Sequence, residues 1–230
     1  QGSFNYGGFA NLEASVRNDW SSTLPEDNNS YMYYGFSGSF IFSDLIDLPW
    51  LSLGKLRGGY TQVGNDTDPY KVRTSYSYNQ DGTFQGAPRL YIASATNELA
   101  NRNLEPEITT TTEGGIDLSV FEDRISLSAT YFNKATSNLI IPLEVPKGSG
   151  YESKTVNAGE LVSKGLEFQL SGTPVQTESF NWDIALNLSS TKMVVEELME
   201  GINAIDIIRA PFGGVFLRAS EGDEYGQLWG

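Results

Sequence analysis

Strict alternation between apolar and polar side chains is the feature of this sequence that most limits how it can fold. In the run "ANLEASVRND", residues 10–19, Leu12 and Val16 alternate with Glu13 and Arg17. Successive side chains of a β-strand point to opposite faces, so this run predicts a strand with one apolar and one charged face. The apolar face would be the core of a soluble sandwich, or would meet lipid in a transmembrane barrel whose charged face lines a lumen. A single strand leaves both architectures open.

The same alternation recurs in six later segments, and helical periodicity is almost absent. The segments are "YGFSGSFIFS" (34–43), "GKLRGGYTQ" (54–62), "TTEGGIDLSV" (111–120), "RISLSATYFNK" (124–134), "GLEFQLS" (165–171) and "FNWDIALNLSS" (180–190). Only "VVEELME" (194–200) could form a helical turn, and a strand that runs on into a loop fits it equally well. The sequence therefore predicts an all-β fold with about seven full strands.

Composition removes several classes of function. No run approaches the roughly 18 apolar residues of a transmembrane helix, so any membrane role would fall to strands. The chain contains no Cys and no His, which removes disulfides, thiolate metal sites and Ser-His chemistry. Its formal net charge of −14 repels nucleic-acid phosphate, so nucleic acid is not expected as a partner.

The connections between the predicted strands alternate in length along the chain. Short connections are predicted at Gly7, "DLIDLPW" (44–50), Asp123 and Val175, and long ones at 20–30, Asn65 to Ile108, 139–162 and after Thr191. Tight turns at one end and long loops at the other are typical of outer-membrane barrels. This pattern favours an antiparallel meander that forms about seven to eight strands of a large transmembrane β-barrel.

Three motifs that could carry chemistry have simpler interpretations. "GSGYESKT" (148–155) departs from a P-loop because Ser153 replaces the glycine before the lysine. "NDTDP" (65–69) spaces Asp66 and Asp68 like calcium ligands but lacks the Gly and distant Glu of an EF-hand, so a turn is favoured and a loop calcium stays open. Glu196 and Glu197 are adjacent, so on a strand they face opposite ways. No catalytic residue, metal ligand or cofactor is predicted, and the chain is not expected to be an enzyme.

Several segments, in series, carry a family resemblance. They are "LEASVRNDWSSTLP", "KLRGGYTQVGNDTDPY", "NLEPEITTTTEGGIDLSVFEDRISLSATYFNKATSNLI", "NAGELVSKGLEFQLSGTPVQTESFNWDIALNLS" and "EGDEYGQLWG". Together they resemble the barrel of SusC-like TonB-dependent transporters of Bacteroidetes. The resemblance implies a bacterial outer-membrane barrel of about 22 strands, closed by a plug domain. It also implies import of glycans or peptides, with a SusD-like surface lipoprotein and energy from TonB.

The resemblance implies more than these 230 residues contain. We expect residues 1–230 to be a partial barrel domain, without the plug domain and the remaining strands. The alternative function is a non-transport outer-membrane surface protein, such as an adhesin or a small complete barrel of about eight strands.

Two groups of side chains are candidates for binding. The long Asn65–Ile108 connection is predicted to contact cargo or a lid protein, or to pack on itself, through aromatic residues; these are Tyr70, Tyr76, Tyr78, Phe84 and Tyr91. The polar strand faces are predicted to line the lumen and to contact the plug rather than the substrate, through Glu13, Arg17, Lys55, Arg57, Glu113 and Asp117. The opposite face is predicted to meet outer-membrane lipid through Phe180, Trp182, Ile184, Leu186 and Leu188, with Trp182 near the periplasmic interface.

Overall fold

A computed structural model describes residues 1–80, 91–95, 97–210 and 214–230, with the backbone alone for residues 77–80, 91–95 and 209. The strands are β1 (Gly2–Tyr6), β2 (Ala10–Trp20), β3 (Ser30–Ile41), β4 (Leu51–Asn65), β5 (Tyr76–Gln80), β6 (Tyr91–Ala95), β7 (Glu98–Leu99), β8 (Glu107–Val120), β9 (Ile125–Ser137), β10 (Ile140–Glu144), β11 (Ser153–Asn157), β12 (Glu160–Gln176), β13 (Asn181–Glu197), β14 (Ala204–Arg209), β15 (Phe216–Ser220) and β16 (Gln227–Trp229). Short 3-10 turns lie at Ser43–Leu45 and Lys147–Ser149. Within the described ranges, no helix has the length and apolarity needed to cross a membrane.

One eight-stranded sheet dominates the fold. Its order is β1-β2-β3-β4-β8-β9-β12-β13, and every neighbouring pair is antiparallel. Strands β5, β6, β7, β10 and β11 lie in the connections of this sheet, and β14, β15 and β16 follow it, so the sheet is a meander along the chain. The predicted all-β antiparallel meander is confirmed. The five-residue strand β1 is additional to the seven predicted strands.

The strand register places apolar residues mostly opposite apolar residues, and polar residues mostly opposite polar residues, across the whole sheet. Residues directly opposite each other share a face. One row of opposed residues is Tyr6, Ala10, Phe40, Leu56, Ile116, Ala129, Phe168 and Leu188; the next row is Asn5, Asn11, Ser39, Arg57, Gly115, Thr130, Glu167 and Ser189. We call the first side of the sheet the apolar face and the second side the polar face.

The apolar face is not covered by a core. Leu12, Val16 and Leu166 are each about 60% exposed on it. In the described part of the chain, the buried apolar side chains lie away from the centre of the sheet, in the connections, at the end of β13 or after it; they are Leu24, Leu104, Ala158, Val195, Leu198 and Ala219. This is the reverse of a soluble sandwich, in which the apolar strand face is the core.

Phe132 is a large apolar side chain that lies on the polar face. Phe132 is opposite Gly165, and a Cβ at Gly165 would lie 2.5 Å from the tip of the Phe132 ring. The ring therefore occupies the space that a side chain at position 165 would fill. This pairing explains why Phe132 departs from the alternation of its strand.

Tight turns lie at one end of the sheet. Residues 7–9 connect β1 to β2, with positive φ at Gly7 and Gly8. Residues 121–124 connect β8 to β9, and three of them have positive φ. The Asp123 carboxylate accepts a 2.6 Å hydrogen bond from the Ser119 hydroxyl at this turn. The predicted tight ends at Gly7 and Asp123 are therefore present.

The predicted tight end at Val175 is wrong, because Val175 lies inside β12. The turn occupies residues 177–180, where the Thr177 amide donates to the Phe180 carbonyl at 2.8 Å. Between the pairs Gly172–Ile184 and Val175–Trp182, β12 has one residue more than β13. Such a bulge accommodates Pro174, which has no N–H for the ladder, so the proline does not end the strand.

The connection that contains "DLIDLPW" is also longer than predicted. It spans residues 42–50, nine residues, which equals the length of the connection 21–29 at the other end of the sheet. A 3-10 turn at Ser43–Leu45 accounts for part of this length. Loop length therefore separates the two ends clearly for the later connections and not for this pair.

The long connections contain their own strands, all at the end opposite the tight turns, which we call the loop end. Residues 66–106 contain the β5–β6 hairpin and β7, and residues 138–159 contain β10 and β11. β11 pairs with β10 in antiparallel and with β7 in parallel orientation. The sequence predicted these connections but not their strands.

Candidate functional site

A cleft of about 970 Å³ lies at the loop end, between connections 21–29 and 66–106. Its lining includes the aromatic ring of Tyr70, the two arginines Arg73 and Arg102, and the two carboxylates of Glu26 and Asp27. We call it the outer cleft. An aromatic ring among charged side chains can contact a ligand through a flat apolar surface and through oriented hydrogen bonds.

Tyr70 has an unusual backbone. Its φ is +71° and its side chain is 76% exposed. The left-handed region costs a non-glycine residue on the order of 1–2 kcal/mol. The structure thus holds an exposed aromatic side chain at the outer cleft in spite of a local conformational cost.

Among the other predicted loop aromatics, Tyr76 has a described side chain, and it does not line the outer cleft. Tyr76 begins β5 and is 64% exposed. Tyr78 and Tyr91 lie in the β5–β6 hairpin, where the backbone of Tyr78 is opposite that of Ala93. Phe84 lies outside the described residues. Of the five predicted aromatics, the described structure brings Tyr70 alone to this cleft.

A partly buried carboxylate joins two of the long connections. Glu98 of β7 accepts hydrogen bonds from the Lys71 ammonium, at 2.5 Å, and from the Thr155 hydroxyl of β11. Burial tends to raise the pKa of Glu98, but these two hydrogen bonds and the Lys71 charge outweigh it and hold the pKa below its ordinary value. The carboxylate is therefore ionised at neutral pH and ties residues 66–106 to residues 138–159.

Amide side chains continue this packing across three connections. The Asn157 side chain donates to the Glu105 carbonyl at 2.8 Å and accepts from the Glu105 amide at 2.9 Å. The Asn28 side chain donates to the carbonyl of Leu104, which is fully buried. The loop end is therefore an ordered layer in which connections 21–29, 66–106 and 138–159 contact one another.

Asp66 holds one corner of this layer. Its carboxylate accepts hydrogen bonds from the hydroxyls of Ser21 and Thr23, the latter at 3.2 Å. Among the residues with described side chains, no group of three or more acidic ligands is placed to hold a metal ion. The described contacts of Asp66 are those of a residue that connects two loops.

A polar network spans three strands on the polar face. The Arg57 guanidinium lies 3.4 Å from the Asp117 carboxylate, and the Ser128 hydroxyl donates to Asp117 at 2.7 Å. Arg57 also donates to the hydroxyls of Ser128 and Thr130. Gly115 leaves room for this arginine, because a Cβ there would lie 3.0 Å from the guanidinium carbon. The structure thus brings the predicted Arg57 and Asp117 into contact.

The other predicted lumen residues lie on the same face without joining that network. Lys55 is directly opposite Asp117. Glu13 accepts a hydrogen bond from the side-chain amide of Gln1, and Glu113 lies beside Gly59. Arg17 is paired with a neighbouring carboxylate of its own strand. All six residues share the polar face, and their contact with a plug stays a prediction.

The sequence analysis missed a group at the loop end of the polar face. Asp19 accepts from the Arg17 Nε at 2.7 Å and from the Tyr33 hydroxyl at 2.6 Å. The Tyr31 and Tyr33 rings are stacked, with centroids 6.3 Å apart and planes 24° from parallel. The signal was present in "YMYYGF", where Tyr31 and Tyr33 have the opposite phase to Tyr34 and the following phenylalanine.

Comparison with known proteins agrees with this architecture. The family model described as "TonB dependent receptor-like, beta-barrel" matches residues 1–207. The chain is 30% identical to TonB-dependent receptor P26 of Formosa agariphila, over 84% of this chain and 19% of that protein. It is 26% identical to TonB-dependent receptor SusC of Bacteroides thetaiotaomicron, over 81% of this chain and 19% of that protein. The chain thus spans about a fifth of the length of these curated relatives.

A solved structure has the same fold. The RagAB peptide importer in its 'closed-closed' state matches with a TM-score of 0.80 at 22% identity, over 95% of this chain and 24% of that chain. Since the family model covers nearly the whole chain and the sheet has the same fold, the chain belongs to the TonB-dependent receptor β-barrel family.

Proposed function

We propose that this chain is a wall segment of a bacterial outer-membrane importer. The importer would take up glycans or oligopeptides with energy delivered through TonB, and would work with a SusD-like surface lipoprotein. The observation that carries this proposal is the eight-stranded sheet with one continuous apolar row beside one continuous polar row. Family membership and the name of the RagAB peptide importer support it.

The two faces would meet two different solvents. In a barrel that spans a bilayer, the outward face contacts hydrocarbon and the inward face contacts water or a plug. The exposed apolar face fits the first environment, because many of its large apolar side chains stay substantially exposed in this chain. The network of Arg57 and Asp117 fits the second, since both charges would be costly against lipid. We propose that Glu13, Arg17, Lys55 and Glu113 face the same interior.

The loop end would lie outside the cell and contact cargo or the lipoprotein. The outer cleft supports this, because an exposed tyrosine and two arginines line it. Tyr76, Tyr78, Phe84 and Tyr91 belong to the same connection and are proposed as further contacts. The role is binding and transport, and no catalytic step is proposed.

Uptake by the full-length protein tests the import function. The gene would be deleted in its host, and growth on labelled glycans and labelled oligopeptides would be followed. We expect loss of uptake for a subset of cargoes, restored by the wild-type gene and not restored when TonB is absent. Normal uptake of the whole panel without the gene would instead support a non-transport surface protein.

Replacement of the β5–β6 hairpin tests the role of the loop. Residues 76–95 would be exchanged for a short Gly-Ser linker in the full-length protein, which spares Lys71 and Glu98. Since no strand of the main sheet is touched, barrel assembly should be normal, whereas cargo uptake or lipoprotein association should fall. Tyr70→Ala is the companion variant for the outer cleft. Normal uptake and association in both variants would remove the loop from the proposed site.

A further inference from the structure

We propose that Tyr31 and Tyr33, together with Arg17 and Asp19, form a binding subsite for a neutral sugar ring at the loop end of the polar face. The four residues face one another across two strands, because Tyr33 is opposite Arg17 and Tyr31 is opposite Asp19. The inference rests on the proposed import function and assigns a glycan to this site. It concerns a place distinct from the outer cleft.

The two tyrosine rings provide a preorganised apolar surface. They are stacked 24° from parallel, and the Tyr33 hydroxyl is held by its 2.6 Å hydrogen bond to Asp19. The Tyr31 ring is held by contact with Gly64 of β4, where any Cβ would overlap the ring carbons. Rings fixed in advance lose little conformational entropy when a ligand binds. The apolar C–H face of a pyranose can stack on such a surface.

Hydrogen-bonding groups lie at the edge of this surface. The Arg17 side chain is 69% exposed, and its described ion pair with Asp19 uses the Nε donor. A guanidinium has five N–H donors, so the terminal ones can serve hydroxyl groups of a ligand. A planar donor group beside stacked aromatic rings matches a sugar ring, which carries hydroxyls around an apolar face.

The charge of the subsite favours a neutral ligand over a peptide terminus. Arg17 and Asp19 neutralise each other through a 2.7 Å contact. A free peptide terminus is charged and is best recognised by an opposite charge that is not already paired. The stacked rings also lie on a strand face, whereas an amino-acid side chain is best enclosed by a pocket.

Binding by the full-length protein, purified with its surface lipoprotein, tests the inference. The probes are an array of neutral oligosaccharides that covers the common glycosidic linkages and a matched array of oligopeptides. We expect binding of at least one neutral oligosaccharide, weakened roughly 2- to 12-fold by Tyr31→Ala and by Tyr33→Ala. Tyr33→Phe keeps the ring and should retain more affinity than Tyr33→Ala.

Tyr34→Ala is the matched control, because Tyr34 follows Tyr33 and lies on the apolar face, stacked on Tyr60. It should leave affinity unchanged, and heat-modifiable mobility in gels would report folding of every variant. Absence of neutral oligosaccharides from the bound set, or wild-type affinity in folded Tyr31→Ala and folded Tyr33→Ala, overturns the inference. If the protein still imported peptides in a TonB-dependent way, the proposed import function would hold without the glycan subsite. If uptake of every cargo were independent of this protein, the import function itself would be wrong.

Discussion

At the scale of single residues, the ion pair between Arg57 and Asp117 depends on the hydroxyl groups around it. The two side chains are 33% and 25% exposed, and a pair at that exposure contributes only about 0–1 kcal/mol by itself. Ser128 contacts both partners, and Thr130 accepts from the arginine. The pair is therefore part of a network that joins β4, β8 and β9.

Asp117→Ala should lower the free energy of unfolding by about 1 kcal/mol, because Arg57 loses its carboxylate partner and the Ser128 hydroxyl loses its hydrogen-bond acceptor. Urea titration of the full-length protein in detergent would measure the change. Arg17→Ala is the control, since its ion pair is more exposed, and its effect on the free energy of unfolding should be smaller. Equal losses at the two sites would contradict this account of the network.

Glu98 predicts how the loop end responds to acid. Its pKa is held below the ordinary value of 4.5, so the contact is fully present above that pH and is lost as the pH falls through the lowered pKa. The hydrogen-exchange protection of residues 97–101 and 153–157, taken relative to the intrinsic exchange rate at each pH, should therefore fall as the pH is lowered from 5 towards 3. Glu98→Gln should exchange faster at pH 7 and show a smaller pH response. A wild-type response equal to that of the variant would argue against this contact.

At the scale of strands, the close pairing of Phe132 with Gly165 makes one glycine of β12 hard to replace. A Cβ at position 165 would meet the ring at 2.5 Å and the Ser190 carbonyl oxygen at 2.8 Å. Gly165→Ala should therefore destabilise the folded barrel by about 1–3 kcal/mol, as measured by urea titration. Gly114→Ala in β8 is the control, because nothing lies within 4 Å of its added Cβ. Similar losses of stability at both glycines would indicate a general effect of replacing glycine in a strand, and not the clash with the Phe132 ring.

The same scale shows how far the sequence could predict the fold. Alternation located seven of the eight strands of the main sheet, all but β1, because side-chain direction in a strand is a local property. It misplaced the turn after β12, because Pro174 is usually a turn signal and here lies in a bulge. It could not find β7 and β11, since their pairing joins separate connections. The stacked Tyr31 and Tyr33 were missed because the predicted strand began at Tyr34, after both of them.

At the scale of the whole molecule, the two faces of the sheet should differ in their tolerance of charge. Leu186 and Asn187 are neighbours in β13 on opposite faces, opposed by Leu170 and Gln169. If the apolar face meets lipid, Leu186→Arg should cost about 2–4 kcal/mol in folding into bilayers, while Asn187→Arg should cost far less. Refolding of the full-length protein into lipid vesicles would compare them. The opposite ranking would reverse the assignment of the faces.

The parallel pairing of β7 with β11 has a consequence for the order of folding. Ser153 is opposite Glu98, which lies 153 − 98 = 55 residues earlier in the chain. The main sheet closes its two long connections at 107 − 65 = 42 residues (β4–β8) and 161 − 136 = 25 residues (β9–β12), and its other pairs over far shorter separations. Contacts between distant residues carry a larger loop-closure cost and form slowly. We expect residues 97–99 and 153–155 to gain protection after the hairpins during refolding, in pulse-labelled hydrogen exchange. The barrel wall would then assemble first, and the loop end, with the outer cleft, would be completed last.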